Sequence, residues 1–144
     1  MAARPAAPIA LNLRRTFSAP PERVFRAWTE PQEMKQWWGP GEYSAPQVEV
    51  DLRVGGRFRI AMKPPEGELF YLGGEYREVV PPKRLVFTWQ WEGDPVETLV
   101  TLEFLDLGGM TELIVTHERF PDEEQCQRHR EGWNATLEKL PRVL

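Results

Sequence analysis

One pattern governs what this chain can become. From Gln47 to Glu118 apolar and polar side chains alternate, and the alternation breaks only at short turns carrying glycine or proline. Val48, Val50 and Leu52 alternate with Gln47, Glu49 and Asp51; Phe58, Ile60 and Met62 with Arg57 and Arg59; Leu85, Phe87, Trp89 and Trp91 with Val86, Thr88 and Gln90. Val96 to Leu105 and Glu112 to Glu118 repeat the pattern, and Leu69 to Val80 is a longer run with Gly73-Gly74 at its middle. Successive side chains of a strand point to opposite faces, so each run is a strand with one apolar face. Val54-Gly55-Gly56, Lys63 to Gly67, Pro81-Pro82, Gly93-Asp94-Pro95 and Gly108-Gly109 are short connections, so neighbouring strands run antiparallel as a meander. One face is apolar and aromatic, the other carries Glu, Thr, Arg and Gln, and such a sheet needs a single cover.

The flanks supply a further strand and the cover. Ile9 to Phe17 alternates as a half-buried strand, with Ile9, Leu11 and Leu13 on one side. Pro21 suits a first helical turn, where its missing N–H costs nothing, and Val24, Ala27 and Trp28 share a face of that helix. Pro31 stops it and starts a second, with Met34, Trp37 and Trp38 apolar, ended by Gly39-Pro40-Gly41. After the last strand, Asp122 and Gln125 have the spacing of a capping box. Cys126, His129, Trp133, Thr136, Leu137 and Leu140 then recur at helical spacing, with Gly132 inside the helix and Pro141 ending it. The expected fold is α+β: seven antiparallel strands, two short helices after the first, and a long C-terminal helix as the cover.

Composition excludes several functions. A chain of 144 residues forms one domain with an adequate core, expected over residues 9–144, with 1–8 a disordered tail. Its net charge of −4 argues against nucleic-acid binding, which needs a basic face. One Cys and two His leave no disulfide framework and no metal site, and no cofactor is expected. No Walker-type loop is present, so nucleotide hydrolysis is not expected. The N-terminus lacks the apolar stretch of a secretory signal and no run is long enough to span a membrane, so a cytoplasmic protein is expected.

Six Trp, seven Phe and three Tyr imply a bulky core, a ring-lined cavity, or both. Phe87, Trp89 and Trp91 form an inward aromatic stripe that core packing and a cavity wall explain equally well. Trp38 is a cavity-mouth candidate that also reads as a core cap, and Trp133 is the anchor of the last helix. Gly74 leaves ligand space beside Tyr76 on one reading, and bends the sheet on the other. His117 and His129 are polar residues on apolar faces: satisfied buried imidazoles, or groups that converge in the cavity and hydrogen-bond a ligand. With Phe58 and Val100 these residues make up the candidate ligand wall, and no catalytic set is assigned.

The order of elements and several local strings resemble the START-like (SRPBCC, helix-grip) superfamily. The branch they resemble most is that of the heat-shock-protein-90 ATPase activator homologues. The strings are Arg15 to Pro20 leading into Val24 to Trp28, Trp37-Trp38-Gly39-Pro40, Gly55-Gly56-Arg57-Phe58, Pro82 to Trp89, Thr116-His117-Glu118 and Gly132-Trp133-Asn134. The resemblance implies a sheet wrapped around the last helix, as in Bet v 1-like and START-like proteins, with an apolar cavity between. Relatives bind lipids, hormones or polyketides; some are cyclases, and some stimulate a chaperone's ATPase in the stress response. The leading expectation is therefore non-enzymatic binding of a small, largely hydrophobic molecule. The alternatives are a chaperone-directed interaction module, then a cyclase or hydrolase acting on a bound metabolite. A weak homodimer and a chaperone are the protein partners left open.

Overall fold

In the computed structural model, which describes residues 9–144, strand β1 (Ile9–Phe17) leads into helices α1 (Pro21–Thr29) and α2 (Pro31–Trp37). Six strands follow: β2 (Ser44–Val50), β3 (Arg57–Lys63), β4 (Phe70–Val80), β5 (Arg84–Trp91), β6 (Glu97–Asp106) and β7 (Thr111–Phe120). Helix α3 (Glu123–Leu137) and a 3-10 turn (Leu140–Val143) close the chain. All strand pairs are antiparallel, in the order β1-β7-β6-β5-β4-β3-β2. The meander is as expected, and β1 joins it beside β7. The expected tail, 1–8, lies outside the described residues. No helix among the described residues is long and apolar enough to cross a membrane.

Proline and glycine set the boundaries. Pro21 and Pro31 stand at the first turns of α1 and α2, and Glu30 between them is extended, so the two helices meet at a kink. At the β6–β7 hairpin Gly108 and Gly109 both have positive φ, 80° and 94°, which side chains other than glycine rarely adopt. The Asp122 carboxylate accepts the Gln125 N–H at 2.8 Å and so caps α3.

Several boundaries differ from the sequence reading. Strand β2 begins at Ser44, not Gln47. It is an edge strand, so Pro46 is tolerated, with an irregular register between Ser44 and Gln47. The chain leaves the sheet after Val50, and Leu52 is exposed. Helix α3 ends at Leu137. Leu140 is fully buried, but Pro141 sits in the first turn of the following 3-10 helix. The bulge in β4 lies between Tyr76 and Glu78, not at the glycine pair.

The core fills the concave side of the sheet. Leu11, Phe58, Ile60, Leu72, Leu85, Val100, Leu102, Leu113 and Val115 face Val24, Trp28, Met34, Trp133 and Leu137 from the helices. Trp37 is fully buried and donates its indole N–H to the Ala27 carbonyl at 2.9 Å, tying α2 to α1. The outer face carries ion pairs: Arg14–Glu112 at 3.1 Å, Arg59–Glu92 at 2.6 Å and Arg84–Glu78 at 3.1 Å. Such exposed pairs contribute at most about 1 kcal/mol each. The outer face, expected to be solvated, is covered at central β5, where Val86 and Thr88 are buried too.

Candidate functional site

The rings gather where α2 ends. The Trp38 N–H closes α2 on the Met34 carbonyl at 2.9 Å, and the chain then turns extended. That geometry sets the Trp38 ring 5.7 Å from Trp28, 6.1 Å from Trp89 and 6.1 Å from Trp133. Trp133, on the inner face of α3, lies 5.3 Å from Trp89 and 5.7 Å from Trp28. Wide rings at these separations meet edge to face or tilted and leave space at their borders.

A cavity of about 230 Å³ opens beside this cluster. Its walls are Trp38, Gly39, Pro40 and Tyr43 from the α2–β2 connection, Met62, Phe70, Trp89 and Trp91 from the sheet, and Arg128, His129, Gly132, Trp133 and Thr136 from α3. Lys139 holds the connection in place: its ammonium donates to the carbonyls of Gly41 and Tyr43, both at 3.0 Å. Burial lowers the pKa of that ammonium from its ordinary value.

The candidate residues divide. Trp38, Trp89, His129 and Trp133 stand together on the cavity wall. Phe58, Tyr76 and Phe87 pack on one another at 5.3–6.1 Å around a space of only about 10 Å³. Burial raises the pKa of the Tyr76 hydroxyl well above its ordinary value. Val100 is fully buried between Phe87 and His117 in neighbouring strands. Gly74 leaves no ligand space. A β-carbon there would fall 1.9 Å from the Thr88 carbonyl oxygen and 2.5 Å from the Phe58 ring, because β4 and β5 close tightly here and Phe58 already occupies the gap. Beside it the Glu75 N–H bonds the Thr88 hydroxyl at 2.8 Å. The missed wall residues include Tyr43, Met62, Phe70, Arg128 and Gly132. Gly132 had a signal: a glycine inside an amphipathic helix, beside the anchoring Trp133.

The two imidazoles have different surroundings, although their rings lie 5.2 Å apart. His117 is fully buried. An indole nitrogen only donates, so Trp133 Nε1–H gives to His117 Nδ1 at 3.0 Å. The proton of His117 is then on Nε2, which donates to Thr98 Oγ1 at 2.7 Å, and the Thr98 hydroxyl donates to the Trp89 carbonyl at 3.2 Å. This chain uses both ring nitrogens, and His117 acts as a positioning residue for Trp133. His129 is on the wall. Its Nδ1–H donates to the Gln125 carbonyl at 2.8 Å, which turns the Nε2 lone pair towards the Trp91 N–H at 3.4 Å.

Both imidazoles are held neutral. Burial pushes the pKa of His117 well below its ordinary value of 6.5, with His129 adding to the effect. Burial also lowers that of His129, opposed by the Gln125 carbonyl and reinforced by Arg128. A base depressed in the folded state binds protons more readily when unfolded. Stability is therefore full above about pH 6.5 and falls as pH drops towards the folded values, by at most about 1.4 kcal/mol per pH unit for each imidazole. Urea unfolding at about pH 7.5 and pH 5.5 checks this: wild type loses stability on acidification, and His129→Gln loses less. Equal losses would show that His129 titrates alike in both states.

Comparison with known proteins places this geometry. The family model described as "Activator of Hsp90 ATPase homolog 1-like protein" matches residues 18–144. The chain belongs to this family. Its members of known structure include the AHSA1 protein of Silicibacter pomeroyi, 31% identical, with a TM-score of 0.83 over 93% of this chain and 96% of that one. A protein of Nitrosomonas europaea is 30% identical, with a TM-score of 0.82 over 94% and 93%. The human Activator of 90 kDa heat shock protein ATPase homolog 1 is 30% identical over 125 residues, 85% of this chain. The chain spans only a third of that relative's length, 33%. The fold expected from the resemblance, an antiparallel sheet of seven strands around a C-terminal helix, is that of this Activator of Hsp90 ATPase-like family.

Proposed function

We propose that this protein binds a small, largely apolar molecule in the cavity between α3 and the sheet, without chemistry of its own. The observation behind this reading is a cavity of about 230 Å³ bordered by Trp38, Tyr43, Phe70, Trp89, Trp91 and Trp133. Pockets for drug-sized ligands run about 300–1,000 Å³, so the occupant is smaller, of one or two rings. Apolar walls with few polar groups are what such sites present. The closed hydrogen-bond chain at His117 favours binding over acid–base chemistry.

Gly132→Leu tests the proposal without damaging the core. Beyond its chain neighbours and its own turn of helix backbone, a β-carbon at Gly132 meets nothing within 4 Å, and the residue borders the cavity. Leucine also forms helix better than glycine, by a little less than the roughly 0.8–1 kcal/mol that separates alanine from glycine. The variant is expected to melt at or above the wild-type temperature. Its affinity for the two-ring aromatic 1-naphthylamine, uncharged at neutral pH and followed by quenching of Trp emission, is expected to fall about tenfold or more, the equivalent of about 1.4 kcal/mol. A stable variant with unchanged dye affinity would place dye binding elsewhere and count against the cavity.

The kinship with the human activator supports a second reading, stimulation of a 90 kDa heat-shock protein's ATPase. It predicts a saturable rise in ATP turnover when the protein is added to that chaperone. Testing the Gly132→Leu variant in the same assay separates the readings: lost dye affinity with this rise intact would put the chaperone contact outside the cavity.

A further inference from the structure

Thr136 brings an unpaired hydroxyl to the cavity. The residue is only 4% exposed and borders the cavity from α3. A threonine inside a helix can turn its hydroxyl back to the carbonyl four residues earlier, as Thr29 does to Phe25 at 3.0 Å. The Thr136 hydroxyl bonds neither Gly132 nor any other described residue. It differs from the indole nitrogens of Trp28 and Trp89, which are the fully enclosed side-chain atoms without a partner: the Thr136 oxygen keeps accessible surface. Side chains four apart on a helix stack and lean towards its N-terminus, so Thr136 lies over Gly132. A β-carbon there would meet nothing within 4 Å beyond its chain neighbours and its own turn of helix backbone. The glycine leaves Thr136 facing open space, and the open space that both residues border is the cavity. The charged residue of the wall, Arg128, is paired with Glu124 and largely exposed, and His129 has both ring nitrogens bonded, to Gln125 and Trp91.

We infer that the cavity takes a small, uncharged aromatic alcohol, its ring among Trp38, Trp89 and Trp133 and its hydroxyl bonded to that of Thr136. This rests on the reading of the cavity as a ligand site and names the ligand's class. A hydrocarbon there would cover the Thr136 hydroxyl and strand it without a partner, which is unfavourable. A ligand hydroxyl pairs with it, and either oxygen can donate to the other. Trp133 precedes Thr136 by three residues on the same helix face, so a molecule of one or two rings reaches both. A charged ligand finds no buried counter-charge on the wall, since Arg128 stands in solvent, and the cost of desolvation excludes it.

Calorimetry with 2-naphthol and 2-methylnaphthalene, both uncharged at neutral pH and nearly isosteric, tests the inference in wild type and in Thr136→Val. Valine keeps the branched shape of threonine and removes only the hydroxyl. The variant is expected to bind 2-naphthol about fivefold to tenfold more weakly, the loss of one neutral hydrogen bond. Its affinity for 2-methylnaphthalene should be unchanged or higher. Thr136→Ser, which keeps the hydroxyl, should rank the two probes as wild type does. No hydrogen bond within the protein is broken, so Thr136→Val should melt at or above the wild-type temperature. A Thr136→Val variant that weakens neither probe, or both alike, would overturn the inference and leave the apolar-ligand reading standing. So would a wild type that binds 1-naphthylamine and not 2-naphthol. Failure of all three probes to bind wild type would overturn both.

Discussion

Trp133→Ala is expected to lower stability by about 3–5 kcal/mol, the usual cost of truncating a buried Trp. At about 4 °C per kcal/mol for a domain of this size, the melting temperature falls by roughly 12–20 °C. Trp133 is only 3% exposed and its ring contacts Trp28, Trp38 and Trp89, so these rings cannot close over the void without leaving their own neighbours. A second loss is chemical: His117 Nδ1 is left buried without its donor. Trp133→Phe separates the two effects. It keeps a ring and removes the N–H, so it should cost about 1–3 kcal/mol, the penalty for an unpaired buried group. Against a total of about 5–15 kcal/mol the alanine variant is marginal. Thermal unfolding followed by near-ultraviolet circular dichroism measures both, and an alanine variant melting with wild type would refute the packing described for α3.

Gly74→Ala is expected to be at least as damaging, although it adds only one carbon. That carbon would sit 1.9 Å from the Thr88 carbonyl oxygen and 2.7 Å or less from two atoms of the Phe58 ring. The ring can shift, but the carbonyl belongs to β5 and moves only if the strands part. Overpacking costs about 1–3 kcal/mol where side chains can adjust, and the cost here should be about 3 kcal/mol or more because backbone must yield. Gly74→Leu should not fold. The adjacent glycine is the control: a β-carbon at Gly73 meets only the Phe58 carbonyl at 3.6 Å, an ordinary contact. Gly73→Ala should be neutral or stabilising by about 0.5–1 kcal/mol. Opposite outcomes at consecutive glycines, read as melting temperatures, are the signature of a close strand approach. A tolerated Gly74→Ala would show that β4 and β5 stand further apart than described.

That pair also shows where sequence reasoning stops. Gly inside a strand signals a bulge, a bend or a close approach, and the sequence leaves these alternatives open. The approach is the one present, with the bulge two to four residues further on. The inward placement of Tyr76 and Leu72 was legible, since faces follow from counting by two. What crosses from the neighbouring strand to occupy the glycine's missing side chain was not. His117 and His129 are similar. Their inward faces were legible, and so was their proximity as one of two readings. Which nitrogen bonds what depends on Trp133 Nε1 arriving from another element, 16 residues later in the chain.

Alternation by two, helical spacing by three and four, and proline and glycine as punctuation suffice to specify the order of elements, the antiparallel meander and the residues of its inner face. Each of these is a local property, decided within a few residues by backbone geometry and by which side chains water rejects. The cavity is not local. It is the remainder after Trp side chains from α2, β5 and α3 pack against one another, and a shift of an ångström in α3 would move or close it. The α2–β2 connection that forms its mouth is held by Lys139, nearly a hundred residues away. Only the folded chain decides which rings face one another across a gap, which glycine is crowded and which is free, and that the indole N–H groups of Trp28 and Trp89 are left without an acceptor among the described residues, because volume and hydrogen-bond partners are shared among elements distant in the chain.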